Sequence, residues 1–104
     1  MADQFDYVIV GAGTAGCVLA NRLTACGKYT VCLLEAGPPD WNPMIHIPAG
    51  FMKTIANPSV NWLYQSEPCP GTNGRTIPMP RGKVLGGSSS INGLIFNRGQ
   101  KMDF

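Results

Sequence analysis

The fold class this sequence predicts is α/β, opening as a strand, a helix and a second parallel strand, and three observations predict it. A short unbroken apolar run, Tyr7–Val10, ends directly on a glycine. A stretch with helical apolar spacing follows it, and then a second β-branched and apolar run that also ends on glycine. The composition, 44% apolar and 13% charged, belongs to a folded chain and not a disordered one.

Each element has its own reason. Tyr7, Val8, Ile9 and Val10 carry no polar alternation, which suits a parallel strand covered on both faces. Over residues 14–26, Ala15, Val18, Leu19 and Leu23 recur at helical spacing, and Gly27 supplies the stop signal. Residues 30–34 read as a second buried strand closed by Gly37. All nine prolines fall within residues 38–80, so regular structure there is expected to be sparse, with short helical turns and extended pieces surviving. That stretch also holds Trp41, Ile45, Phe51, Met52, Trp62 and Tyr64, and so reads as an irregular excursion packed over other parts of the molecule. From residue 81 the composition turns to glycine, serine and base, with no acid before Asp103. Such a segment lets an anion approach backbone. The predicted organisation is a dinucleotide-binding unit over 5–37, the excursion over 38–80, and a ligand-contacting stretch over 81–99.

Several function classes fall away. A net charge of +2, with no basic run interleaved with aromatics, does not describe a nucleic-acid binder. The first six residues hold two acids and no base, and no run approaches the roughly 7–15 apolar residues of a signal peptide or the about 20 of a membrane span. The expected location is therefore cytoplasmic, compatible with peripheral membrane association, and no transmembrane segment is expected. Cys17, Cys26, Cys32 and Cys69 form no CxxC pair and no zinc spacing, so they are expected to be buried apolar thiols, with no metal site. For Cys17, packing outweighs reactivity even at a helix start.

The motif Gly11-Ala12-Gly13-Thr14-Ala15-Gly16 follows the first strand and opens the helix, which is the context that gives GxGxxG a mechanism. Gly11 permits a tight turn, Gly13 lets backbone approach a pyrophosphate, and Gly16 lets helix and strand pack closely. The phosphate would meet free amides at the helix N-terminus. Glu35 stands 19 residues after Gly16, where a carboxylate accepts hydrogen bonds from ribose hydroxyls and repels a 2′-phosphate. NADP is thereby disfavoured, while NAD and FAD both remain.

Residues 81–99, RGKVLGGSSSINGLIFNRG, carry the second motif. Gly86 and Gly87 would allow backbone contact with a bulky ligand, Ser88, Ser89 and Ser90 offer hydroxyls and a helix cap, and Asn92 adds an amide that both donates and accepts. With these residues the sequence resembles the glucose-methanol-choline (GMC) oxidoreductases. The resemblance rests on residues 82–92, followed by Phe96 and Gly99, on Asp6 through Gly13, on Leu34-Glu35-Ala36-Gly37, and on the stretch from Asn61-Trp62 to Pro68. It covers almost the whole chain and is nearest in look to bacterial alcohol and choline dehydrogenases.

The resemblance implies a start of a Rossmann-like FAD-binding domain. It places Gly11, Gly13, Thr14, Ala15 and Gly16 around the pyrophosphate, and Glu35 with Ala36 on the adenosine ribose. Arg81, Val84, Gly86, Gly87, Asn92, Gly93, Leu94 and Ile95 would lie along the pyrophosphate and isoalloxazine. Some relatives attach flavin through a histidine that aligns with Ile91, and isoleucine cannot form that bond, so noncovalent FAD is expected. The implied activity is oxidation of a primary alcohol to an aldehyde with hydride passing to flavin N5, the electron acceptor being oxygen or a quinone. A lyase or light-driven decarboxylase of the same fold, or a non-catalytic remnant, is the alternative. The proton-accepting base of such chemistry is expected beyond Phe104, and His46 is expected to be a surface or packing histidine. Two strong strands make an incomplete doubly wound sheet, so an N-terminal fragment of a longer domain is expected.

Overall fold

The computed structural model describes residues 4–103. β1 (Tyr7–Val10) and β2 (Val31–Leu34) pair in parallel, Tyr7 opposite Val31 and Val10 opposite Leu34. They are joined by α1 (Thr14–Thr24). The helix stops two residues before the predicted end, and Gly27 follows it in the left-handed region with its N–H donating to the Thr24 carbonyl at 2.9 Å. Entry to the strand pair is pinned by Asp6, whose carboxylate accepts from the Thr30 backbone N–H at 2.7 Å and the Thr30 hydroxyl at 2.8 Å. Those two donors, the backbone one foremost, hold the Asp6 carboxyl below the usual carboxylate range.

Proline divides the following excursion into short pieces. α2 (Pro43–His46) begins on Asn42, whose side chain accepts from the Met44 N–H at 3.0 Å, with proline at the first helical position. A 3-10 turn, Pro48–Gly50, leads into α3 (Phe51–Thr54). Gly50 is required by packing, because a Cβ there would strike the Met44 carbonyl. β3 (Tyr64–Gln65) and β4 (Pro78–Met79) form a two-residue antiparallel ladder, linked across the 3-10 turn Pro70–Thr72. A bridge between Asn61 and Gly82 extends the contact toward the second glycine motif.

The buried apolar residues are few. Val60, Val84 and Ile91 form one cluster with the half-buried Ile45 against it, and Ala12 is buried at the first glycine turn. The radius of gyration, 17.3 Å, exceeds the roughly 13 Å of a compact domain of this length. These residues therefore do not enclose a core of ordinary size by themselves.

Three expectations are corrected. β1 is not covered on both faces, since Val8 and Val10 are 60% and 84% exposed; within these residues a single helix and one neighbouring strand cannot shield it. The cysteines are free, but Cys17 and Cys32 are only half-buried while Cys26 and Cys69 are exposed, because they sit on the same uncovered unit and on an outer turn. At Cys69 the Thr72 hydroxyl, 3.6 Å from Sγ, lowers the thiol from its ordinary value. Within the excursion, Ile45 packs as expected, yet Trp41 and Met52 lie in the open. His46 is exposed, and its Nε2 sits 2.6 Å from the Asp40 carbonyl.

Candidate dinucleotide site

The carboxyl ends of β1 and β2 open onto a cleft of about 540 Å³, within the roughly 300–1,000 Å³ range of small-molecule sites. Its lining begins with Val10 and Leu34, the last residues of the two strands, and continues into the turns that follow them.

Gly11 makes the first turn at φ +96°, and a Cβ on Gly16 would strike the Gly11 carbonyl. The first glycine thus bends the chain and the third lets α1 lie close against the strand end. Around Gly11 and Gly13 there is open space where a side chain would stand. α1 starts at Gly13 without any capping side chain, so the amides of its first turn at Thr14, Ala15 and Gly16 have no side-chain partner.

The second motif docks on the first through main chain. Gly86 N–H donates to the Ala12 carbonyl at 2.7 Å, and a Cβ on Gly87, at φ +59°, would lie 2.7 Å from the Gly13 Cα. Gly82 is packed against the Gly87 carbonyl, and Gly37 against the Lys83 carbonyl, each too close for a Cβ. The glycines expected to admit a ligand therefore serve first to bring two loops together, with Gly87 also lining the cleft. The serines differ from expectation too. No hydroxyl caps the 3-10 turn Gly87–Ser90; Ser88 Oγ accepts from Gly82 N–H at 3.1 Å and Ser90 Oγ donates to the Leu85 carbonyl at 2.9 Å. The hydroxyls fasten the loop to itself because its own unpaired backbone groups are their nearest partners.

Glu35 reaches back from the end of β2. One carboxylate oxygen accepts from Ala12 N–H at 2.8 Å and the other from Gly37 N–H at 2.9 Å. It thereby holds the glycine turn in place as well as facing the cleft, and each oxygen keeps acceptor capacity. Ala36 stands beside it in the lining. Arg81 and Trp62 also line the cleft, joined by Trp62 N–H donating to the Arg81 carbonyl at 2.9 Å. Buried Asn61 organises this wall, accepting from both Leu63 N–H and Arg81 N–H at 3.0 Å and donating to the Ile55 carbonyl.

Of the residues named from sequence, Gly11, Gly13, Glu35, Ala36, Arg81 and Gly87 line one cleft. Thr14, Ala15, Gly16 and Gly86 are not part of the lining, Gly16 packing against the Gly11 carbonyl and Gly86 donating to the Ala12 carbonyl, while the Val84 side chain is wholly buried in the apolar cluster. Asn92, Gly93, Leu94 and Ile95 do not line this cleft and are exposed. Asn92 accepts from Leu94 N–H at 3.0 Å, and with Leu94 it borders a separate small recess beside Phe51. Sequence reasoning missed Val10, Leu34 and Trp62, while Gly82 and Ser88 fall within the ligand-contacting stretch it outlined. The rule that α/β ligands sit at the carboxyl ends of strands would have found the first two; nothing local distinguished Trp62 from the other aromatics of the excursion. Among the described residues, no group of three or more His, Cys, Asp or Glu is placed to hold a metal ion, and no helix is long and apolar enough to cross a membrane.

A glycine-lined cleft at the ends of parallel strands is the architecture of nucleotide-binding α/β proteins. The GMC oxidoreductase family model matches residues 5–104. Alcohol dehydrogenase [acceptor] of Pseudomonas putida is 53% identical over 97% of this chain and 18% of its own length. The oxygen-dependent choline dehydrogenase of Rhizobium etli is 50% identical over the same shares. Among solved structures, pyridoxine 4-oxidase from Mesorbium loti superposes with a TM-score of 0.87 at 39% identity, over 97% of this chain and 20% of that one. A formate oxidase from Aspergillus oryzae, studied for FAD modification, gives 0.75 at 39% identity over 85% of this chain and 16% of that one. This chain belongs to the GMC oxidoreductase family, and it spans about a fifth of the length of these relatives.

Proposed function

We propose that these residues are the start of a Rossmann-like FAD-binding domain in an enzyme that oxidises a CH–OH group of a small alcohol to the carbonyl. The observation that carries the reading is the main-chain docking of the second glycine motif on the first, Gly86 on Ala12 and Gly87 on Gly13, at a cleft that also holds Glu35. Three features suit a dinucleotide. There is open space at Gly11 and Gly13 for a diphosphate, uncapped amides lie at the start of α1, and acceptor capacity remains on Glu35 for ribose hydroxyls.

When bound, FAD supplies the centre that accepts hydride. The residues of this chain bind and orient: Glu35 and Ala36 the ribose, Gly11 through Gly16 the diphosphate, Arg81 and Gly87 its outer side. Asn92, Gly93, Leu94 and Ile95 are assigned to the flavin end, apart from the nucleotide cleft. Ile91, 3% exposed in the apolar cluster, offers no nucleophile, which favours noncovalent FAD. The base that takes the hydroxyl proton is assigned to the parent chain outside residues 1–104, and the acceptor to oxygen or a quinone.

The test is to purify the full-length protein, precipitate it with acid, and identify the released chromophore by chromatography. FAD in the supernatant, bleached in the holoenzyme by a primary alcohol under anaerobic conditions, is the expected result. Flavin remaining in the pellet would overturn noncovalent binding, and a colourless protein would overturn the FAD reading.

A further inference from the structure

Asparagine is followed by glycine at two places in the chain, Asn73-Gly74 and Asn92-Gly93. Such a step is chemically labile, because a glycine nitrogen with no Cβ beside it can attack the asparagine side-chain carbon and close a succinimide ring. In an unfolded chain the two steps are equivalent. The fold makes them different.

At the tip of the β3–β4 hairpin, Asn73 lies in the left-handed region at φ +52°, and the Gly74 N–H is committed, donating to the Cys69 carbonyl at 3.0 Å. Asn73 N–H donates to the Pro70 carbonyl at 3.1 Å and the Thr72 hydroxyl to the Arg75 carbonyl at 2.8 Å, so the turn is tied on both sides of the step. The glycine nitrogen must lose its proton to attack, and an N–H held by a carbonyl gives it up only when the turn opens. Asn73 is exposed, yet its neighbour is not free to react.

At Asn92 the position is reversed. Among the described residues, no acceptor takes the Gly93 N–H. Asn92 Oδ1 accepts from Leu94 N–H at 3.0 Å, which folds the carboxamide back along its own following peptide, beside the nitrogen that would attack. The same bond draws electron density from the amide carbon and supports negative charge as it develops on Oδ1, as a donor does in an oxyanion hole. Where a Cβ on Gly93 would stand, the nearest atom is in the Phe51 ring, 3.9 Å away, so the approach is uncrowded.

We propose that Asn92 is a site of spontaneous modification, a ring-forming deamidation that the folded hairpin denies to Asn73. The Gly93 nitrogen bonds to Asn92 Cγ, the Cγ–Nδ2 bond breaks, and ammonia leaves with the proton that Gly93 gave up. Water then opens the ring at either carbonyl, to aspartate or isoaspartate, with nothing oxidised or reduced. Both products place a carboxylate in the second motif, and isoaspartate also adds a backbone atom between buried Ile91 and Leu94 at φ +58°. The proposal is independent of what the cleft binds.

The experiment incubates the full-length protein at mildly alkaline pH, folded and in denaturant, and follows both steps by peptide mass spectrometry after digestion in mild acid. In denaturant the two should convert at similar rates. In the folded protein Asn73 should slow about tenfold, the weight of one backbone hydrogen bond that must open first, while Asn92 keeps or exceeds its unfolded rate. Gly93→Ala should slow conversion at Asn92 and leave Asn73 unchanged, because a methyl group beside the nitrogen hinders ring closure; an unslowed variant would overturn the cyclic route. So would aspartate without isoaspartate, the two being separated by electron-transfer fragmentation. Asn92 intact in the folded protein while its denatured counterpart converts, or folded Asn73 converting as fast as Asn92, would overturn the proposal. If Gly93→Ala does not fold, the folded and denatured wild-type rates decide alone.

Discussion

At Gly13 and Gly87 two loops meet main chain to main chain, whereas at Trp62 and Arg81 the same cleft is walled by long side chains beside a buried asparagine. The floor has no side chain to adjust, so a single added methyl group must displace backbone. The wall can lose one contact and keep the others. Two surfaces facing the same ligand therefore differ in how substitution reaches them: by displacement of backbone in the floor, by graded loss of contacts in the wall.

Gly87→Ala probes the floor most directly, since it adds a Cβ 2.7 Å from the Gly13 Cα at a left-handed φ of +59°. In the full-length protein it should cost about 2–4 kcal/mol in denaturant unfolding and empty the flavin absorbance. A variant as stable and as yellow as wild type would erase the distinction between floor and wall. Asn61→Ala should come next, at about 2–3 kcal/mol, because the N–H groups of Leu63 and Arg81 and the Ile55 carbonyl lose their partner together. Asn61→Asp, which keeps the acceptor, should recover part of this in the same unfolding measurement.

Glu35→Gln joins the two regions. Its amide can still accept from one of the two backbone N–H groups now on the carboxylate, so the turn should survive while FAD affinity falls about tenfold, roughly 1.4 kcal/mol. Unchanged affinity by titration would remove Glu35 from the ribose and leave it only the turn.

The smallest effect is expected away from the cleft, at Asp6. Its carboxyl is held low in the folded chain by the Thr30 N–H and hydroxyl, so its contribution is present above the ordinary carboxylate value, about pH 4. It fades as pH falls through the lower folded value. Melting curves of wild type and Asp6→Asn should differ at neutral pH and converge in acid; a constant difference would show that the pair acts through shape and not charge.

Much of the first unit was legible because its signals are local. Unbroken apolar runs located β1 exactly and β2 to within one residue, and the glycine spacing located the turn, whose residues are close in sequence and face one ligand. The excursion was legible only in kind. Two-residue strands and four-residue helices carry too few side chains for periodicity, so the β3–β4 ladder had no signature beyond extended pieces between prolines. Trp62 was visible as an apolar residue of that stretch, but its place in the cleft depends on the bridge from Asn61 to Gly82, twenty-one positions away.

By itself the sequence determined the order of strand, glycine turn, helix and strand, the carboxylate at the end of the second strand, and the resemblance to GMC oxidoreductases. All of these depend on residue types at short, fixed spacings. Only the tertiary structure decided that Gly87 closes on Gly13 while the Gly86 N–H binds the Ala12 carbonyl, that Ser88 and Ser90 bind their own loop, and that Trp62 lines the same cleft as Glu35. Backbone groups carry no sequence label and close approach is a matter of three-dimensional fit, so a glycine reads the same in sequence whether its open side will face a cofactor or another glycine.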